Sequence, residues 1–377
     1  MKVLPKSAKY LYSPLMIALL LTSTPAVQAK DAFGEEHQVY AQRNLVSDLN
    51  NAEHTDPNLV NAWGLAFNPT GVVWVGDNGT GVSTLYDGEG VPVSLVAAIP
   101  SPTDAKGGGN PTGVVFNPSA GFVVSNASTS GSSRFIFATE DGLIAGWAPN
   151  VDLTHSLPAI DNSGADGAVY KGLTLISGAF LYATDFRHNK VDVFDSNFKP
   201  VKLPANAFVD QNLPAGYAAF GIQAINNEIF VTYAKQDAAK HDDVKGKGFG
   251  FINVFDPNGQ LIRRLASADK LNAPWGVALA PAGFGKFSGK LLVGNFGDGR
   301  INAYDLNSGG FVGQLRGADH KPITIDGLWG ISFGNGFKNQ PVNTLFFAAG
   351  PDDEAHGLYG RIDTVIDKDN DDWKYNW

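Results

Sequence analysis

His188, His241 and His356 each stand within a few residues of aspartate, in the groups Asp185-Phe186-Arg187-His188, Asp237 to Asp243 around His241, and Asp352-Asp353-Glu354-Ala355-His356. Neutral imidazole and carboxylate oxygen are the ligands that a divalent cation takes in water. If remote segments meet in space, His188, His241 and His356 with Asn295 form an expected metal-ligand set for Ca, Zn or Cu. Asp185 and Asp352 are then the expected catalytic carboxylates, as base or further ligand. A cation so held polarises a carbonyl or activates water, which is hydrolase (lactonase-like) or lyase-like chemistry. The competing reading of each histidine is a solvated loop residue or a backbone cap. With no turnover, the same face would be a binding surface for a peptide, a glycan or a protein partner. A quinone-cofactor dehydrogenase is the weakest alternative, because no cofactor-pocket signature is visible.

Other chemistries are excluded by residue type. The chain has no cysteine, and its two methionines are Met1 and Met16. Disulfides, thiolate nucleophiles, iron–sulfur clusters and blue-copper ligation are therefore absent from residue 17 onward. There is no GxSxG elbow and no P-loop. Gly107-Gly108-Gly109 reads as a flexible loop, because no helix follows to offer its N-terminus to a phosphate.

A ring-shaped fold would bring histidines so far apart in sequence together over one channel, and the spacing of one unit predicts such a fold. Six glycines open it: Gly64 (WGLAF), Gly113 (TGVVF), Gly172 (KGLTLI), Gly221 (FGIQAI), Gly276 (WGVALA) and Gly330 (WGISFG), at intervals of 49, 59, 49, 55 and 54. Each is followed by short apolar strands, Asn- or Gly-bearing turns and a third strand that often ends in aromatic-Asp, as in Tyr86-Asp87 and Phe255-Asp256. A period near 50 filled with strands predicts an all-β, six-bladed β-propeller. The last unit lacks a fourth strand, and residues 37–45 are expected to supply it and close the ring. In such a ring the loops before each first strand and between the second and third strands share one face. Six of the seven histidines fall in those loops, with Asp77-Asn78, Asn126, and Asn295 with Asp298 at corresponding places in units 1, 2 and 5. Asn61, Asn110, Asn272 and Asp326 precede the unit glycines. They read as loop-fixing hydrogen-bond groups ahead of oxygen ligands. Trp63, Trp275 and Trp329 read as packing between blades.

The termini read differently. Lys2, Lys6 and Lys9, then the apolar run from Leu15, then Val27-Gln28-Ala29 form a secretory leader over 1–29. The propeller is expected over 30–366 and a solvated acidic tail over 367–377. Export to the periplasm or beyond follows as the expected location. Removing the three leader lysines takes the formal charge from −9 to −12. An acidic surface argues against nucleic acid, and no later segment is long and apolar enough to insert in a membrane.

Several stretches carry a resemblance: Phe137-Ala138-Thr139-Glu140-Asp141-Gly142 with Ile144-Ala145-Gly146-Trp147, Thr232 to Asp237 with His241-Asp242-Asp243-Val244, Asn272-Ala273-Pro274-Trp275-Gly276, Gly294 to Gly299, and Ala349 to Glu354 with His356-Gly357. Together they resemble a family of exported bacterial proteins with an NHL-like or TolB-like six-bladed propeller, some of which carry PEP-CTERM sorting tails. The resemblance implies the fold and export. It supplies no reaction and no catalytic residue.

Overall fold

The computed structural model describes residues 38–176 and 179–366. The leader, His37 and the acidic tail lie outside the described residues.

Six antiparallel sheets surround one axis. Blade 1 runs from its first strand Ala62–Phe67 through Val73–Asp77 and Val82–Tyr86 to a two-residue fourth strand, Ala97–Ala98. Blades 4 and 5 have four strands each, starting from Tyr217–Ile225 and Pro274–Leu279. Blade 6 is Leu328–Phe333, Leu345–Ala349 and Leu358–Ile366, completed by Gln38–Ser47. That last strand pairs antiparallel with Leu358–Ile366, from Gln38 opposite Ile366 to Ser47 opposite Leu358. Ring closure by a strand ahead of unit 1 is therefore as expected, and it leaves no open edge where the ends of the chain meet.

The recurring glycine has a steric cause. The six first strands touch in a closed cycle around the axis. A Cβ on Gly64 would lie 2.4 Å from the Thr112 carbonyl oxygen, and one on Gly330 would lie 2.4 Å from that of Trp63. Gly113, Gly172, Gly221 and Gly276 meet the backbone of the next blade in the same way. Only a residue without a side chain lets neighbouring strands approach so closely. Between blades, six apolar clusters fill the wedges, for example Trp74, Phe135, Phe137 and Trp147 between blades 1 and 2. The Asn226-Asn227 turn of blade 4 has φ of 51° and 64°, the paired left-handed conformation of a two-residue hairpin.

Blade 2 differs from the sequence reading. Its order is Pro111–Phe116, Phe135–Thr139, Leu143–Trp147 and Leu157–Asp161. An extra hairpin, Val123–Ser125 with Ser130–Ser132, is inserted between its first two strands. Asn126 lies in that hairpin and not between the second and third strands. The insertion accounts for the long interval of 59.

Candidate active site at the channel mouth

The residue before each unit glycine points toward the axis, and there the side chains are Trp63, Thr112, Lys171, Phe220, Trp275 and Trp329. Trp63, Trp275, Trp329 and Phe220 join Phe186 and Phe296 in one buried cluster. Trp63 stacks on Trp329 at 3.7 Å, and Trp329 on Phe296 at 3.8 Å. The indole N–H groups are all used. Trp63 and Trp329 both donate to Asn61 Oδ1, at 2.9 and 3.1 Å, and Trp275 donates to the Lys171 carbonyl at 2.9 Å. The tryptophans thus plug the channel; they are not an open stacking platform.

Lys171 is the one charged residue in this ring of six, and it is 2% exposed. Its ammonium lies 5.1 Å from the Trp63 ring centroid. It donates to Glu140 and, at 3.3 Å, to Asp242 Oδ1. Burial pulls its pKa down, but the charges of Glu140 and Asp242 more than offset this, so it is held above the ordinary lysine value. The acids come from alternate blades. Glu140 follows the second strand of blade 2, Asp242 and Asp243 lie in residues 236–250 of blade 4, and Glu354 lies in residues 350–357 of blade 6.

Each loop is shaped locally. In blade 2, Glu140-Asp141-Gly142 is a tight turn, with Gly142 at φ 84°. In blade 4, Asp237 Oδ1 accepts the backbone N–H groups of His241 and Asp242 at 2.8 and 3.3 Å, which folds the loop back over the mouth. In blade 6, Asp352, Asp353 and Glu354 are three consecutive left-handed residues, with φ of 58°, 50° and 69°. Such a turn costs roughly 1–2 kcal/mol per residue in residues with a Cβ. Strain of this kind concentrates where a side chain must be aimed. Here it delivers Glu354 to Asn61 Nδ2, which donates to it at 2.7 Å. Asn78 in turn donates to Glu140 Oε2 at 2.7 Å.

His241 Nδ1 is 2.8 Å from Asp242 Oδ1. That hydrogen bond holds Asp242 down at about 2 and raises His241 above its ordinary value. One ligand atom each from Glu140, His241 and Asp242 lies within 4.8 Å of the others, a ligand-type group among the described residues. Asp243 Oδ2 is buried with no hydrogen-bond partner. Burial pushes this carboxyl up to about 7, and burial likewise raises Glu354. An acid held near 7, with a second carboxyl raised by burial close by, is an arrangement that general acid–base chemistry can use.

The raised Asp243 has a sign that can be tested. Its stabilising contribution is fully present below the ordinary aspartate value and is lost as pH rises through about 7. Asp243→Asn is therefore expected to raise stability by about 4 kcal/mol at pH 8.5, by about half as much at pH 5.5, and by nothing measurable only near pH 3. Thermal melts at these pH values check this.

The other expected site residues lie elsewhere. His188 Nδ1 is 2.7 Å from Asp185 Oδ2, and its Nε2 is 3.3 Å from Asp166. Asp185 is fully buried behind it. His356 Nδ1 is 2.7 Å from Asp48, with Nε2 3.9 Å from the exposed Asp352. Asn295 donates to the Lys270 carbonyl and to Asp298. Of the expected metal ligands, the structure brings His241 to Glu140 and Asp242 and does not bring His188, His356 or Asn295 into that group. Asn110 donates to the Asn78 carbonyl, and Asn272 accepts the Gly246 N–H, both fixing backbone. Asp243 and Glu354 stand in the acidic groups around His241 and His356 without an assigned role, and Glu140 and Lys171 lie outside every such group. Two signals were present: the hairpin signature Glu140-Asp141-Gly142 between two apolar strands, and a lysine where the other units place an aromatic or a threonine.

No family model matches the chain. Among solved structures, a streptogramin B lyase superposes with TM-score 0.52 at 13% identity, over 88% of this chain and 99% of that one. The apo-form soluble aldose sugar dehydrogenase of Escherichia coli superposes with TM-score 0.51 at 13% identity, over 86% and 99%. At that identity the likeness shows the propeller fold alone. In sequence, the chain is 35% identical to "Uncharacterized protein R648" of Acanthamoeba polyphaga mimivirus, over 85% of this chain and 80% of that one. It is 33% identical to "Uncharacterized protein L690" of the same virus, over 85% and 86%. Identity of this order, sustained over most of both chains, places the chain in one family with these two mimivirus proteins.

Proposed function

We propose that this protein is an exported propeller enzyme that holds a divalent cation at the channel mouth and carries out hydrolytic or lyase-type chemistry there. The observation that carries the reading is the convergence of Glu140, His241 and Asp242, from blades 2 and 4, above the buried Lys171. Export rests on the leader at 1–29. One imidazole and two carboxylates suit a small coordination number, as for zinc or copper. Calcium wants more oxygens. The nearby amide oxygens are already engaged, Asn61 Oδ1 by two indoles and Asn78 Oδ1 by Asn61 Nδ2. The cation would polarise a carbonyl or activate a water. Lys171 bonds both Glu140 and Asp242 and helps hold Asp242 down at about 2 as a ligand, and Asp243 would take or return the proton. The two solved propellers named above are a lyase and a sugar dehydrogenase by name, which accords with an enzyme on this fold without indicating the reaction.

One observation favours a second reading, a non-catalytic binding propeller for a small molecule, polymer or protein. Lys171 already pairs with both Glu140 and Asp242, so these acids are compensated without a metal.

Elemental analysis and zinc titration of the purified protein separate the two. The enzyme reading expects about one equivalent of Zn or Cu. Chelator should then lower the melting temperature by several degrees, through loss of linked binding energy. Affinity should fall as pH drops, because His241 must give up its proton to coordinate. His241→Ala should lose at least about tenfold in affinity. A protein that takes up no metal, and melts alike with and without chelator, is the binding propeller.

A further inference from the structure

Blade 3 alone lacks a fourth strand among the described residues; its sheet is Tyr170–Ile176, Phe180–Asp185 and Lys190–Asp195. The cause is in the chain that follows. Residues 199–205 carry Pro200 and Pro204, which have no N–H to offer a ladder. This segment makes two main-chain bonds to the edge, Asp195 N–H to Lys199 and Val201 N–H to Val193, and then turns away. Because outward-facing groups alternate along a strand, the N–H of Val193 and both main-chain groups of Val191 also face outward, and no partner for them is present among the described residues. Where the missing strand would lie there is a cavity of about 510 Å³.

The walls of that cavity have a character of their own. Val193, Val201, Leu203 and Ala207 form its apolar wall. Its rim carries Asp166 and Asp192 against Lys190 and His188, with the fully buried Asp185 beneath, three acids to one lysine and one histidine. Asp192 is held by Lys190 at 2.8 Å and by the Tyr170 hydroxyl at 2.9 Å. The carboxylate of Asp166 is 87% exposed, and His188 Nε2 approaches it at 3.3 Å.

We propose that this edge receives an extended peptide segment bearing a basic residue, which supplies the fourth strand that blade 3 lacks. Main-chain bonds to Val191 and Val193 would set its register, an apolar side chain would enter between Val193 and Leu203, and a lysine or arginine would meet Asp166. This is strand addition to a sheet edge, in which backbone supplies affinity and alternate side chains supply choice. It does not depend on metal at the channel mouth.

The test uses the intact protein and three capped, fluorescein-labelled eight-residue peptides: alternating Val-Lys, the same peptide N-methylated at alternate residues, and alternating Val-Glu. The Val-Lys peptide is expected to bind saturably below about 1 mM and to slow amide exchange at Val191 and Val193. N-methylation should weaken binding at least about tenfold, since each lost main-chain bond leaves a group unpaired. Asp166→Asn should weaken it roughly two- to fivefold with an unchanged melting temperature. Binding that ignores N-methylation, equal binding of Val-Glu, protection confined to residues 236–250, or no saturable binding overturns the proposal.

Discussion

Lys171→Met is expected to lower the unfolding free energy by about 3–5 kcal/mol, the cost of leaving a buried charge without its partner. The cause is Glu140, whose side chain is 13% exposed and is neutralised mainly by this ammonium. Asp242 loses less, because its side chain is 65% exposed and it keeps His241. The ammonium–Trp63 contact adds to the loss. Urea denaturation of the single variant and of Lys171→Met with Glu140→Gln forms a cycle. The double variant should recover most of the loss, because both charges leave together. A single variant within about 1 kcal/mol of the parent, or strictly additive effects, would show that the pair is not what holds the mouth together. The pH sign is also fixed. Lys171 is raised, so its contribution is complete below the ordinary lysine value and fades only as pH rises through the higher folded-state value. The part of the loss that belongs to the lysine itself should therefore not vary from pH 6 to 9, while the Asp243 carboxyl, raised further without Lys171, should make the total loss grow above about pH 7.

Gly221→Ala should be comparably severe. An added Cβ would sit 2.1 Å from the Trp275 carbonyl oxygen. That oxygen belongs to the first strand of the next blade and cannot swing aside as a side chain could. Opening the gap means moving one blade in a closed ring, which strains its neighbours as well. A loss of about 3 kcal/mol, or failure to accumulate as soluble protein, is the expected result. Gly107→Ala is the control, because nothing lies within 4 Å of its Cβ position. Equal melting temperatures for the two variants would refute the account of the six glycines as contact points between blades.

These two expectations mark how far the chain could be read in advance. The glycine ring was legible because it is periodic: the same clash recurs six times, so the same residue recurs six times. The closing strand was legible because unit 6 ran out of chain while a strand stood unassigned before unit 1. Blade 2 was misaligned at Asn126, because an inserted hairpin also looks like two strands and a turn. The place that the repeat pattern gives to Asn126 is held in the structure by Glu140, the mouth's central acid. Lys171 was visible as a break in the ring of aromatics, but a lone lysine acquires meaning only when its counter-ions are known.

The pattern of glycines, short strands and turns determined by itself that this protein is a six-bladed ring with its polar loops sorted by face, because local sterics and strand period act over a few residues. Which of those loops meet was decided only by the tertiary structure. Glu140, Lys171, His241, Asp242 and Glu354 come from four blades, and no spacing along a chain encodes how far each loop leans over an axis. His188 and His356 occupy equivalent loops, yet each turns to its own aspartate, Asp185 and Asp48, because a hydrogen bond near 2.7 Å to a local carboxylate outweighs a reach toward the centre.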